Sequence, residues 1–250
     1  MKAMIFAAGL GSRLRPLTDT LPKALVPVGG KPLLQILLDR LTEAGFDEIV
    51  INVHHFADQI TDYLQSHPQI PHITISDESE QLLETGGGIR HAMRFFNDAK
   101  PFLIHNVDIL HHLDLRSFYD QWASQGDAVL LVSNRSTQRY LLFDNENRLV
   151  GWTNIKTGEV KSPYHNLIPQ QYRMYAFSGI HILNPSLLPL MYTWPKRFSI
   201  IDFYLAICKH CVIKACVCEK LELIDVGKSD TLAQADQFIK QCNSNINLTW

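Results

Sequence analysis

Gly9, Gly11, Arg13 and Lys23 fall close together near the start of the chain, in the stretch FAAGLGSRLRPLTDTLPKALVPVGGKP (6–32). Glycines at alternate positions let backbone N–H groups turn toward an anion and form a nest. Arg13 adds a planar fork for phosphate oxygens, and Ser12 lies beside it in the same loop. Pro16, Pro22 and Pro27 limit a loop that would otherwise lose much entropy on ordering. Lys23 follows a rigid residue, so its ammonium can be aimed as a point charge. Flexible where backbone meets phosphate and stiff elsewhere, the loop suits a polyphosphate. A lone G-x-G reads as an ordinary surface turn; the full pattern does not.

Two common phosphate motifs are excluded. The dinucleotide fingerprint G-x-G-x-x-G fails because Leu14 stands where the third glycine belongs. The P-loop G-x-x-x-x-G-K-[ST] fails because Gly30-Lys31 is followed by proline and position 25 is leucine. A zinc site can be drawn from Cys208, Cys211, Cys216 and Cys218 with His210 between them. The favoured reading is packing, since free cysteine behaves as a small hydrophobe and structural zinc draws on better separated pairs. A second metal cluster can be drawn from His105, Asp108, His111 and His112, but strand alternation sets His105 and Asp108 on opposite faces.

The positioning elements follow from hydrophobic periodicity. Strands are predicted at 2–7, 48–53, 72–76 and 101–108, the last ending in Asp108. Helices are predicted from Pro32 to Gly45, over 56–65, and over 89–96 behind a Gly86–Gly88 lead-in. This alternation argues for βαβ units, a parallel sheet and right-handed crossovers. Ligands in such sheets sit beyond the carboxyl ends of strands, so the opening loop, Glu84–Gly88 and Asp108 can share one crevice. The second half is less regular. Strands are predicted at 127–133 and 174–183, a hairpin over 139–152 turning at Asp144–Asn147, a polar loop over 153–173, and helical stretches at 186–192 and 199–208. Strand character then runs to Asp225, and a helix over 229–242 opens on a Ser229 cap. No repeat or linker stands out, so 1–250 is read as a single domain.

Composition sets the bounds. The 250 residues are 46% hydrophobic and 19% charged, with a net charge of −2. That balance, and the lack of a basic stripe, argues against nucleic acid as a partner. The first apolar run is too short for a signal peptide, and no stretch suits a membrane span. The expected location is cytoplasmic, with no membrane partner. An odd number of cysteines without an export signal argues against disulfides.

The signature G-x-G-x-R-x-x-P-x-T-x-x-x-P-K-x-L-x-P-V is matched by Gly9, Gly11, Arg13, Pro16, Thr18, Pro22, Lys23, Leu25, Pro27 and Val28. On these residues and later motifs, the chain resembles the sugar-1-phosphate nucleotidylyltransferases across essentially its whole length. The resemblance implies an α/β fold: a Rossmann-like three-layer sandwich with a mostly parallel mixed central sheet, the family's catalytic domain, without room for an appended β-helix. It implies an enzyme that joins an NTP to a sugar 1-phosphate, giving an NDP-sugar and pyrophosphate, with Mg²⁺ as cofactor. Arg13 and Lys23 become the catalytic cations, and Asp108 and Asp225 the metal acids. Val107 departs from the family's usual Gly-Asp at that point. Ala8, Gly9, Gly11, Ser12, Arg13, Gln81, Glu84, Thr85 and Gly86 become nucleotide contacts. Asn106, Ser178 and Gly179 match sugar-side positions. A Glu-Lys pair common in the family has no clear equivalent over 150–173, where Asn154 and Lys156 stand as substitutes. The segment ETGGGI and the compact form look closest to N-acetylmuramate-1-phosphate uridylyltransferases of peptidoglycan recycling. Mannose- and heptose-1-phosphate guanylyltransferases are the competing expectation, and a non-catalytic nucleotide- or sugar-binding regulator is the alternative of another class. A homo-oligomer is left open, with four cysteines and exposed loops in the second half available to an interface.

Overall fold

The computed structural model describes residues 1–67, 72–227 and 229–244. In chain order the elements of the first half are β1 (Lys2–Phe6), β2 (Pro27–Val28), β3 (Lys31–Pro32), α1 (Leu33–Glu43), β4 (Glu48–Val53), α2 (Ala57–Ser66), β5 (His72–Asp77), α3 (Glu84–Ala92), β6 (Phe102–Asn106) and β7 (Ile109–His111). There follow α4 (Leu115–Trp122), β8 (Ala128–Ser133), β9 (Arg139–Phe143), β10 (Leu149–Asn154), β11 (Glu159–Lys161), β12 (Arg173–Leu183), α5 (Ile200–Ile207), β13 (Ile213–Val217), β14 (Leu223–Asp225) and α6 (Ser229–Ser244). Among the described residues, no helix is long and apolar enough to cross a membrane.

The main sheet runs β11-β10-β9-β12-β6-β1-β4-β5, with β8 and β13 joined beside β12. β6, β1, β4 and β5 are parallel, as the alternating βαβ pattern requires. β12 reverses direction and pairs antiparallel with β6, β8 and β9, so the mixed sheet is parallel in its first half and largely antiparallel in its second. Strand alternation sends Ala3 and Ile5 to one face and Met4 to the other. The first face is covered by the leucines of α1 with Ile60, Phe118 and Phe238; the second by α3 and α5 through Ile89, Phe203 and Tyr204. Two apolar layers around one sheet give the three-layer arrangement.

Local departures from expectation have physical causes. Pro32 stands just before α1 in an extended conformation rather than in its first turn. The 153–173 segment holds β11, because Glu159–Lys161 folds back on Trp152–Asn154. The opening segment, expected as a loop, holds three short 3₁₀ turns, and 185–193, where a helix is expected, is 3₁₀ and carries Pro189, which removes an α-helical hydrogen bond. The proposed cap of α6 falls on Ser229, whose side chain lies outside the described residues.

Candidate active site

From β1 the chain moves outward through β4 and β5, then returns through α3 to β6 on the other side of β1. The carboxyl ends of β1 and β6 therefore flank a topological switch point, where open α/β sheets hold ligands. A cavity of about 380 Å³ lies there, and Ala8, Gly9, Lys23, Glu84, Thr85, Asn106 and Asp108 all line it. Residues far apart in the chain thus meet in one crevice.

The opening loop is built of 3₁₀ turns at Ser12–Leu14, Leu17–Asp19 and Lys23–Leu25. Gly11 adopts a left-handed φ of 63°. A Cβ there would lie 2.8 Å from Thr18 Cγ2 and 3.2 Å from Lys23 Cβ, so glycine lets the loop close. The Thr18 hydroxyl donates to the Gly11 carbonyl at 2.8 Å. Lys23 enters the last turn after an extended Pro22 and is buried. Its ammonium pairs with the Asp108 carboxylate.

The two acids are brought together by backbone pairing. β6 ends at Asn106, so Asp108 sits in the tight turn to β7 rather than on the strand as expected. β7 pairs antiparallel with β14, which places Asp225 opposite Ile109. The Val226 amide donates to the Asp108 carbonyl at 2.8 Å. Arg13 and Asp225 both flank Gly227: a Cβ there would lie 2.6 Å from Asp225 Oδ1 and 3.0 Å from Arg13 Nη2. Among the described residues, Asp225 Oδ1 is buried without a hydrogen-bond partner. Burial first, and then the Asp108 charge, push the Asp225 carboxyl above the usual carboxylate range; Lys23, Arg13 and Arg135 oppose them. Two adjacent hard-oxygen acids, one with an orphaned oxygen, fit Mg²⁺, which needs few protein carboxylates because it keeps waters and takes phosphate oxygens. Among the described residues, no group of three or more His, Cys, Asp or Glu converges as a metal site.

The glycines of ETGGG do not precede α3; they lie inside it, because the helix starts at Glu84. The amides of Gly86 and Gly87 donate to the Phe198 carbonyl at 2.9 and 3.2 Å. Thr85 Oγ1 accepts the Ile200 amide at 2.9 Å, and Arg197 Nε donates to Glu84 at 2.9 Å. Gln81 lines a neighbouring cavity of about 590 Å³ instead. Ser178 and Gly179 stand behind the main cavity. A Cβ on Gly179 would lie 2.8 Å from Asn106 Nδ2, so Gly179 lets Asn106 reach the crevice; the Ser178 hydroxyl is buried and has no hydrogen-bond partner among the described residues. Val107 is buried and lines the cavity.

Sequence reasoning missed Asn52 and Glu78, which also line the crevice. Asn52 Oδ1 accepts the Ala7 amide at 2.8 Å, and its Nδ2 donates to Glu78 Oε1 at 2.8 Å. Glu78 Oε2 accepts the Leu83 amide at 3.3 Å. This network ties the carboxyl ends of β1, β4 and β5 to the start of α3. Burial dominates in raising the Glu78 carboxyl. For Asn52 a signal was available, since it is a polar residue in the apolar run EIVINV; Glu78, in the polar run DESE after a strand, carried none.

The alternative metal clusters dissolve into packing. Cys208 and Cys216 are buried on different faces of the sheet, and burial pushes their thiols up to about 11 and about 12. His105 and His111 are buried and hydrogen-bond each other through their Nε2 atoms at 2.9 Å. Desolvation pulls His105 down to about 4, so both rings are held neutral.

A switch-point crevice, a glycine-containing loop and converging Lys, Arg and paired acids make an α/β fold with a site suited to a polyphosphate. A family model described as "Nucleotidyl transferase" matches residues 2–242, and the chain belongs to that family. It is similar to the N-acetylmuramate alpha-1-phosphate uridylyltransferase of Caulobacter vibrioides, 49% identical over 109 residues, 42% of this chain and 45% of that protein. It is also similar to a mannose-1-phosphate guanyltransferase of Schizosaccharomyces pombe, 31% identical over 196 residues, 75% of this chain and 51% of that one. The chain thus spans about half the length of the curated relatives it matches. In fold it is similar to HddC from Yersinia pseudotuberculosis, with a TM-score of 0.74, 24% identity, and coverage of 95% of this chain and 99% of that one.

Proposed function

We propose that this chain joins a nucleoside triphosphate to a sugar 1-phosphate, releasing pyrophosphate, and that UTP and N-acetylmuramate 1-phosphate are its pair. The observation that carries the reading is the convergence of Lys23, Asp108, Arg13 and Asp225 around the switch-point crevice. The sugar phosphate is already anionic at neutral pH, because the second pKa of a phosphate monoester is about 6. It therefore needs no general base; it needs positioning and charge neutralisation. Lys23, held by Asp108, would contact the α-phosphate and the incoming phosphate. Arg13 would take the charge of the departing pyrophosphate. Asp108 and Asp225 would hold Mg²⁺, which supplies further neutralisation of phosphate charge when bound. Ala8, Gly9 and the Glu84–Gly86 segment would hold the nucleotide, and Asn106 the ribose or sugar.

The uridylyl and muramyl choice is supported by the Caulobacter relative; the guanylyl and mannosyl alternative is supported by the fission-yeast relative, which covers more of the chain. Pyrophosphate release with Mg²⁺, crossing four NTPs against a panel of sugar 1-phosphates, decides between them. The expected signal is with UTP and N-acetylmuramate 1-phosphate. A signal with GTP and mannose or heptose 1-phosphate replaces that choice, and silence across the panel overturns the catalytic reading.

A further inference from the structure

A third cavity, of about 500 Å³, shares Ser199 with the main crevice. Its floor is the antiparallel ribbon β9-β10-β11. Pairing aligns Arg139 with Asn154 and Glu159 in one row, and Leu141 with Trp152 and Lys161 in the next. Side chains alternate along strands, so these six share one face, and all six line the cavity. Phe177 adds a second aromatic, and Arg135 closes the side toward the acids by donating from Nη2 to the Phe177 carbonyl at 3.1 Å.

The charges of this cavity are unequal. Lys161 is matched by Asp202 at 3.1 Å and lies 5.4 Å from the Trp152 ring centre. Arg135 and Arg139 also line it, and Glu159 is the other carboxylate there. Among the described residues, neither guanidinium forms an ion pair. An aromatic floor with a guanidinium pair at its edge suits a sugar ring that carries an anionic group.

Resting on the function proposed above, we propose that this cavity takes a carboxylate substituent of the sugar 1-phosphate, and that Arg139, assisted by Arg135, pairs with it. Guanidinium forks match carboxylates in two parallel hydrogen bonds. The pair selects among sugars, since only a carboxylated sugar gains these charge-assisted hydrogen bonds.

The test compares N-acetylmuramate 1-phosphate with N-acetylglucosamine 1-phosphate, which lacks the carboxyl-bearing ether, using UTP and Mg²⁺. The wild-type chain should favour the carboxylated sugar in kcat/KM by about tenfold or more. Arg139→Gln should raise KM for that sugar by a similar factor, leave the uncarboxylated sugar unchanged, and keep the wild-type Tm. Arg139→Lys should restore part of the preference. Equal use of both sugars by the wild type, or a loss in Arg139→Gln that is the same for both, overturns the carboxylate pocket while leaving nucleotidylyl transfer standing. No turnover of any sugar 1-phosphate overturns the underlying function, and the pocket with it.

Discussion

Asp225 shows how a single residue can set function against stability. Its carboxyl is raised chiefly by burial and next by Asp108, so its ionised form is disfavoured in the folded chain. For an acid raised on folding, stability is full below the ordinary carboxylate pKa and falls as pH climbs through the raised value. A bound cation offsets that loss. Asp225→Asn should therefore raise the Tm of the metal-free protein at neutral pH and blunt the further rise that Mg²⁺ gives the wild type. Pyrophosphate release should fall by roughly a hundredfold or more, the scale seen when one charge-stabilising group is removed from a reaction. Thermal melts with and without Mg²⁺ check this. A variant that melts below the wild type yet keeps its Mg²⁺ response would remove Asp225 from the metal pair. Asp225 was legible because an acid before Val-Gly at the end of an apolar run matches a family pattern. Glu78 was not, because one acid within the polar run DESE (77–80) after a strand reads as a solvated turn. Only the fold shows it buried against Asn52.

At the scale of an element, α3 reverses an ordinary propensity rule. Alanine is favoured over glycine inside a helix by about 1 kcal/mol, so Gly87→Ala on an open helix would stabilise it. Here a Cβ on Gly87 would lie 2.2 Å from the Lys196 carbonyl oxygen. Overpacking of that kind typically costs about 1–3 kcal/mol, which is enough to reverse the sign. Gly87→Ala should lower Tm and weaken nucleotide binding, because the shift passes to the Phe198 carbonyl that holds Gly86 and Gly87. Gly9→Ala is the matched contrast. Nothing lies within 4 Å of the added methyl, so its Tm should stay close to the wild type. A Gly87→Ala melt at or above the wild type would mean that the Lys196–Phe198 segment gives way freely. The sequence legibly marked ETGGG as important, yet placed the glycines before the helix rather than within it. Three consecutive glycines are poor helix formers, and the segment that compensates for them is remote in the chain.

At the scale of the whole molecule, the site depends on joining the two ends of the chain. The βαβ half was legible because buried parallel strands and amphipathic helices write strong periodicities. The short pairing of β7 with β14 was not, since three-residue strands carry almost no pattern. That pairing sets Asp225 beside the Asp108 turn, and α6 braces it. Phe238 packs in the core and stacks on His112 with ring centres 4.2 Å apart, while Asp236 Oδ1 accepts the Gly29 amide at 2.7 Å. The helix thus anchors both the β7 side and the end of the opening loop. Phe238→Ala should cost about 3 kcal/mol of stability. If α6 also holds the acids in place, the variant should need more Mg²⁺ for half-maximal activity, even where it remains fully folded. Denaturant unfolding gives the first quantity and a Mg²⁺ titration of pyrophosphate release the second. A stability loss with an unchanged Mg²⁺ requirement would mean that the β7–β14 pairing alone positions Asp225, and that α6 only covers the core.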